Sequence, residues 1–133
     1  MSPRFLSLAE VLEFQSDLLR SFGGKPGIRD LALLESALAL PQSGSGKEYF
    51  HEFPFGMAAA YAYHIAQNHA FIDGNKRTAL AVALVFLEIN GYPVMGGEDE
   101  LEAATREVAS GKMGKDGFAG VLEITYKRHR SGA

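Results

Sequence analysis

Residues 79–87 read Ala-Leu-Ala-Val-Ala-Leu-Val-Phe-Leu, with no polar residue interrupting them. They sit inside a segment that reads as a helix from Asn75 to Ile89, because Asn90-Gly91 is a strong C-terminal stop and Pro93 stands just beyond it. A helix apolar on every side is normally buried on every side. The remaining elements are therefore expected to pack around residues 75–89. The run is far shorter than the about 20 residues that span a bilayer, so its burial is expected inside a soluble fold.

Working outward, the flanking sequence supplies more helices. Ser7 and Glu10 form a capping box, and Leu8, Val11, Leu12, Gln15, Leu18, Leu19 and Phe22 then recur at helical spacing until Gly23-Gly24. Asp30 caps a short second helix through Leu31, Leu34, Ala37 and Leu38, stopped by Pro41. From Gln42 to Phe53 the chain is Gly- and Ser-rich, then mixed charged and aromatic, which reads as an exposed loop or short hairpin. Pro54 fits the first position of a third helix running to about Asn68, whose small face of Ala58, Ala59, Ala62 and Ala66 allows close packing. Downstream, Glu98 to Ala109 is amphipathic through Leu101, Ala104 and Val108. Asp116 caps a last helix through Phe118, Val121, Leu122, Ile124 and Tyr126. No period-two pattern survives more than a few residues, and there is no repeat or linker. The expected fold class is all-α, a compact helical bundle in a single domain over residues 1–133.

Composition narrows the function. A net charge of −3 argues against a protein that coats nucleic acid. The only basic cluster outside residues 69–77, Lys127-Arg128-His129-Arg130, reads as cations at a helix C-terminus. With no cysteine, disulfides and thiolate metal sites are excluded. Residues Met1 to Phe14 lack a signal-peptide core. A cytoplasmic protein with no membrane association and no direct nucleic-acid contact is expected.

The chemistry concentrates immediately before the apolar helix, in His69-Ala-Phe-Ile-Asp-Gly-Asn-Lys-Arg77. A helix cap needs one polar side chain, and this loop carries five. Placed against a buried helix, such groups are costly unless paired or used. Asn75 stands at the helix start, where free backbone amides and the helix dipole suit an anion. Gly74 lets the backbone approach a ligand closely. Lys76 and Arg77 put two cations at the helix end that ordinarily prefers acidic residues, so a di- or triphosphate is the natural complement. Asp73 is a hard oxygen ligand beside that site, as Mg²⁺ shared with phosphate oxygens requires. His69, four residues earlier, is placed to accept a proton from an incoming hydroxyl. Phe71 is expected to point into the core and anchor the loop. A P-loop is excluded by the residue order and by the helix that precedes the stretch. A zinc site is excluded because His64 and His69 are off one helical face. His51, His64 and His129 are expected to be partly exposed or satisfied in the core.

The pattern His69-x-Phe71-x-Asp73-Gly74-Asn75-Lys76-Arg77 resembles the signature of the Fic/Doc family, and specifically its death-on-curing (Doc) branch. The upstream block Gly27-Ile28-Arg29-Asp30, Leu33-Leu34-Glu35-Ser36-Ala37-Leu38 and Pro41-Gln42 also resembles Doc-like chains, as does Asn90-Gly91 downstream. The similarity spans roughly residues 20 to 95. It implies that His69 is a general base, that Asp73 holds Mg²⁺ against the phosphates of ATP, and that Gly74, Asn75 and Arg77 form an anion nest.

Fic proteins usually transfer AMP from ATP to a protein hydroxyl. Here Lys76 replaces the second glycine of that branch, and Leu80 replaces its second arginine. Both changes match Doc, for which the resemblance implies a reversed ATP and transfer of the γ-phosphate to elongation factor Tu, halting translation. A segment resembling the family's target-clamping flap is expected at Gly44 to Phe53. No glutamate is followed by glycine or asparagine, so the family's inhibitory Ser/Thr-x-x-x-Glu-Gly/Asn helix is absent. A separate antitoxin chain is the implied restraint. AMP transfer, and a non-catalytic nucleotide-binding module, are the alternatives.

Overall fold

A computed structural model describes residues 2–129. Its helices are α1 (Leu8–Phe22), α2 (Leu31–Ala39), α3 (Phe55–Asn68), α4 (Asn75–Ile89), α5 (Glu98–Ala109) and α6 (Lys115–His129). A 3₁₀ turn, Leu40–Gln42, and two strands of two residues, β1 (Gly44–Ser45) and β2 (Glu48–Tyr49), lie between α2 and α3. The strands pair antiparallel as a hairpin, Gly44 opposite Tyr49 and Ser45 opposite Glu48. The all-α expectation holds. Among the described residues no helix is long and apolar enough to cross a membrane.

Local chemistry starts and stops the helices. Ser7 and Glu10 form the reciprocal capping box on α1. The Asp30 carboxylate accepts the Leu33 N–H at 3.0 Å and caps α2. Two starts differ from the sequence reading. Pro54 is the N-cap of α3, one residue outside the helix. Asp116 lies inside the first turn of α6, which begins at Lys115. There it complements the helix dipole without capping it. Lys127, Arg128 and His129 do occupy the last turn of α6, and Arg130 lies outside the described residues.

α3 and α4 run side by side through one hydrophobic core, in which Tyr61, Phe71, Phe86 and Phe118 are the largest enclosed side chains. The alanine face of α3 is buried, as its small residues required, together with Met57, Tyr61 and Ile65. Tyr61 also places its hydroxyl where the buried Leu6 N–H donates to it at 3.0 Å. α4 departs from expectation. Thr78, Ala79, Val82, Ala83, Phe86 and Leu87 are buried, but Leu80, Ala81 and Leu84 are only half-covered. α1 and α5 flank that face of α4 without closing over it, which leaves a groove.

The hairpin sits at the other end of the bundle from the start of α4. Tyr49 packs edge-on against Phe5 at 5.6 Å, and Phe53 packs against Phe86 at 6.4 Å and Tyr92 at 5.8 Å. At 1.5 Å per residue, Phe86 is about 16 Å along α4 from Asn75.

Candidate functional site

The polar loop joins the C-terminus of α3 to the N-terminus of α4. His69 closes α3 in the left-handed conformation, φ 48° and ψ 45°, the only non-glycine residue with positive φ among those described. Phe71 is 1% exposed and fixes the middle of the loop in the core. Asn75 then ties the loop to α4. Its side-chain carbonyl accepts the Phe71 N–H and its amide donates to the Phe71 carbonyl, both at 3.0 Å. Gly74, φ 76°, is the N-cap of α4 and no side chain caps that end. The first-turn amides of α4 thus have no acceptor inside the helix.

A second segment holds the loop from outside. Residues 24–30, between α1 and α2, lie along residues 68–73. The Arg29 and Asp30 N–H groups both donate to the Ala70 carbonyl, at 2.7 and 3.0 Å, and the Ile72 N–H donates to the Gly27 carbonyl at 3.1 Å. The Arg29 guanidinium donates to the His69 carbonyl at 2.7 Å and the Asn68 carbonyl at 3.0 Å. The Lys25 N–H reaches the Asp73 carboxylate at 3.2 Å, while the other Asp73 oxygen accepts the Gly74 N–H at 2.9 Å. Gln15 of α1 donates to the Asp73 carbonyl at 3.4 Å. The approach is close enough to require glycine. At Gly24, φ 124°, a Cβ would sit 2.8 Å from Leu19 and 3.0 Å from the Asp73 carboxylate.

His69, Asp73, Gly74, Asn75, Lys76 and Arg77 all line one open groove of about 660 Å³. Its apolar wall is Leu18 and Phe22 of α1 with Leu80, Ala81 and Leu84 of α4, and Glu102 and Arg106 of α5 stand at the far side. The Arg77 guanidinium lies 4.7 Å from the centre of the Phe22 ring, a cation–π contact at an exposed ring. Neither Lys76 nor Arg77 forms an ion pair among the described residues. Two exposed cations, an uncapped helix end and an exposed carboxylate therefore face the same open space, beside a histidine.

Residues 5–87 match the family model for the Fic/DOC family. The chain belongs to this family. Among Fic/DOC proteins it is Doc-like: it is 38% identical over 104 residues to Toxin Doc of Mycolicibacterium smegmatis, covering 77% of this chain and 80% of that protein. It is 32% identical over 123 residues to Protein kinase doc of Escherichia phage P1, covering 92% of this chain and 96% of that protein.

Within this Fic/DOC chain the expected motif residues come together, but the side chain of Asn75 is occupied by the Phe71 backbone, so only its backbone N–H faces the groove's end of the helix. Sequence reasoning gave no role in the site to Lys25, Gln15 or Arg29, although Arg29 stands in the Doc-like block, because they act from 40 to 58 residues away. It also missed Thr78, whose buried hydroxyl has no partner and lies 4.0 Å from where a Gly74 Cβ would be. The flap expectation at Gly44–Phe53 is corrected. The last residues of that segment, Phe50 to Phe53, line a different groove, and the segment is remote from His69 because it precedes α3 whereas His69 ends it. The backbone that lies beside the motif is residues 24–30, with Ile28 bridged to Phe71.

His51 and His64 are half-buried, within the expectation of histidines partly exposed or satisfied in the core. His51, which lines that second groove, has its Nδ1 enclosed without a partner, and so has His64 its Nε2. Burial, then the Lys115 ammonium, then His51 push the His64 imidazole down to about 4. His51 is lowered by burial and by Lys115, which lies 3.2 Å from its Nε2, with Asp116 opposing.

Proposed function

We propose that this chain is a Doc-like toxin that transfers the γ-phosphate of ATP to a hydroxyl of a cytoplasmic translation protein, elongation factor Tu by resemblance, under restraint by a cognate antitoxin. The observation that carries the reading is the convergence of His69, Asp73, Lys76, Arg77 and the uncapped N-terminus of α4 on one groove. The similarity to a protein named as a kinase supports phosphate over AMP transfer. So do Lys76 and Leu80, where AMP-transferring relatives carry glycine and arginine.

The roles follow from the chemistry of each group. The first-turn amides of α4, Lys76 and Arg77 would hold the phosphate chain, their fixed dipoles and charges offsetting its negative charge. His69 would take the proton of the attacking hydroxyl. Asp73 fits Mg²⁺: it is exposed, and each carboxylate oxygen accepts only one backbone N–H, leaving lone pairs for an ion that draws its other ligands from phosphate and water. When bound, the ion would neutralise charge developing on the phosphoryl oxygens. The half-covered Leu18, Leu80 and Leu84 with the exposed Phe22 form an apolar wall that would receive a folded antitoxin segment.

The test is isotopic. Label from γ-labelled ATP is expected to reach elongation factor Tu, and label from α-labelled ATP is not. His69→Ala should abolish transfer without unfolding the protein, and Asp73→Asn should raise the Mg²⁺ concentration needed. Transfer from the α-position alone would establish AMP transfer instead, and full activity in His69→Ala would remove the base.

A further inference from the structure

We propose that Arg29 is a positioning residue for His69, holding the imidazole in reach of the reacting hydroxyl by clamping the left-handed turn that carries it. The proposal rests on His69 being the base. It starts from the strain at that residue. A non-glycine side chain in the left-handed region is disfavoured and persists only where its surroundings over-determine it. His69, at φ 48°, has no such support from its own sequence.

The support comes from Arg29. The two peptide planes that flank the His69 Cα are the ones whose orientation sets its φ and ψ. The carbonyl of the first, that of Asn68, accepts from Arg29 Nη2 at 3.0 Å. The carbonyl of the second, that of His69 itself, accepts from Arg29 Nε at 2.7 Å. One planar guanidinium therefore fixes both, and its five donors sit in a rigid fork suited to such a pair of acceptors. The Arg29 and Asp30 N–H groups hold the next carbonyl, that of Ala70. Asn68 is in turn held by its side-chain amide, which donates to the Leu33 carbonyl at 3.1 Å.

Charge-assisted bonds are about twice as strong as neutral ones, so the pair is matched to the strain it opposes. A cation at the C-terminus of α3 also complements the helix dipole. Without Arg29 the turn is free to relax toward right-handed or extended backbone, which re-aims the His69 Cα–Cβ bond. The phosphate-binding end of the loop stays in place, because Asn75, Lys25 and Gln15 hold it independently. The expected signature is a loss in turnover with little loss in nucleotide affinity.

Three variants test this: Arg29→Gln, Arg29→Lys and His69→Ala, each titrated for ATP-binding sites so that turnover is counted per folded molecule. With γ-labelled ATP and elongation factor Tu, Arg29→Gln is expected to lower kcat by about 10- to 100-fold, the scale of a displacement near 1 Å at a reacting group. The KM for ATP is expected to stay within about twofold, since uniform binding is untouched. Arg29→Lys, which keeps the charge and reaches one carbonyl, should recover part of the loss. Independently of any activity, the backbone ¹³C shifts of His69 should report a left-handed residue in the unaltered protein and leave that range in Arg29→Gln. With His69→Ala inactive, wild-type kcat in Arg29→Gln overturns the proposal, as do unchanged His69 shifts. If His69→Ala stays active, the base assignment fails instead, and the shifts alone decide whether Arg29 holds the turn.

Discussion

Replacing Asn75 with alanine separates two roles that look alike in sequence, a staple for the loop and a free ligand for phosphate. The side chain makes two hydrogen bonds of 3.0 Å to the same residue, one to the Phe71 N–H and one to its carbonyl. Each contributes about 1 kcal/mol net when water can partly replace it. Alanine returns roughly 0.5 kcal/mol of helix propensity at the start of α4. The expected loss is therefore about 1.5 kcal/mol in the absence of nucleotide. For a chain of 133 residues this corresponds to a melting point lower by about 5 °C. Calorimetry on the nucleotide-free protein measures it, and amide hydrogen exchange locates it, since the Phe71 amide should exchange about tenfold faster on losing its acceptor. A side chain that served only phosphate would leave the nucleotide-free melting point unchanged or slightly raised. That outcome, with Phe71 protected as before, would refute the staple.

Three further outcomes follow from the same kind of reasoning. His64 is held down to about 4, so the unfolded chain binds a proton below about pH 6.5 that the folded chain refuses until about pH 4. Stability should fall as pH drops through that window and level off below it, by on the order of 1–2 kcal/mol given the ring's partial exposure, and His64→Gln should flatten the urea midpoint against pH. Tyr61→Phe removes the acceptor of the buried Leu6 N–H and should cost about 1–3 kcal/mol in denaturant unfolding; an unshifted midpoint would show that water reaches this amide. Gly24→Ala forces a Cβ onto Leu19 and the Asp73 carboxylate at positive φ. It should cost about 1–3 kcal/mol and raise the Mg²⁺ needed for transfer, which a metal titration at saturating ATP would detect.

What the sequence disclosed was whatever a few neighbouring residues decide between them. Ser7 with Glu10, and Asp30 with the Leu33 amide, are pairings three residues apart, so their helix starts were readable. The motif was readable for the same reason, since the residues from His69 to Arg77 are contiguous. The open face of α4 was not, because an apolar run records that burial is favourable and says nothing about which neighbours arrive to supply it; α1 and α5 leave Leu80 and Leu84 half-covered. Pro54 and Asp116 were misplaced by a residue or two, the usual slack where several residues compete to begin a helix. The hairpin was mistaken for the segment beside the motif because nothing local in the sequence shows that residues 24–30 fold back along the loop from 40 residues away.

The clasp formed by residues 24–30 makes the motif unsuitable for transplantation. A helical hairpin cut from residues 55–89 would carry His69 through Arg77 in full, yet it would leave behind Arg29, Lys25 and Gln15, and with them the hold on the turn and on the carboxylate. The two halves of this arrangement lie on either side of the exposed hairpin at Gly44–Tyr49. A chain divided at Gly46 would thus place the clasp on one fragment and the motif on the other, each inert alone. Catalysis would return only as the fragments found each other, making the molecule a natural starting point for a split reporter whose signal is the re-formed grip of Arg29 on the end of α3.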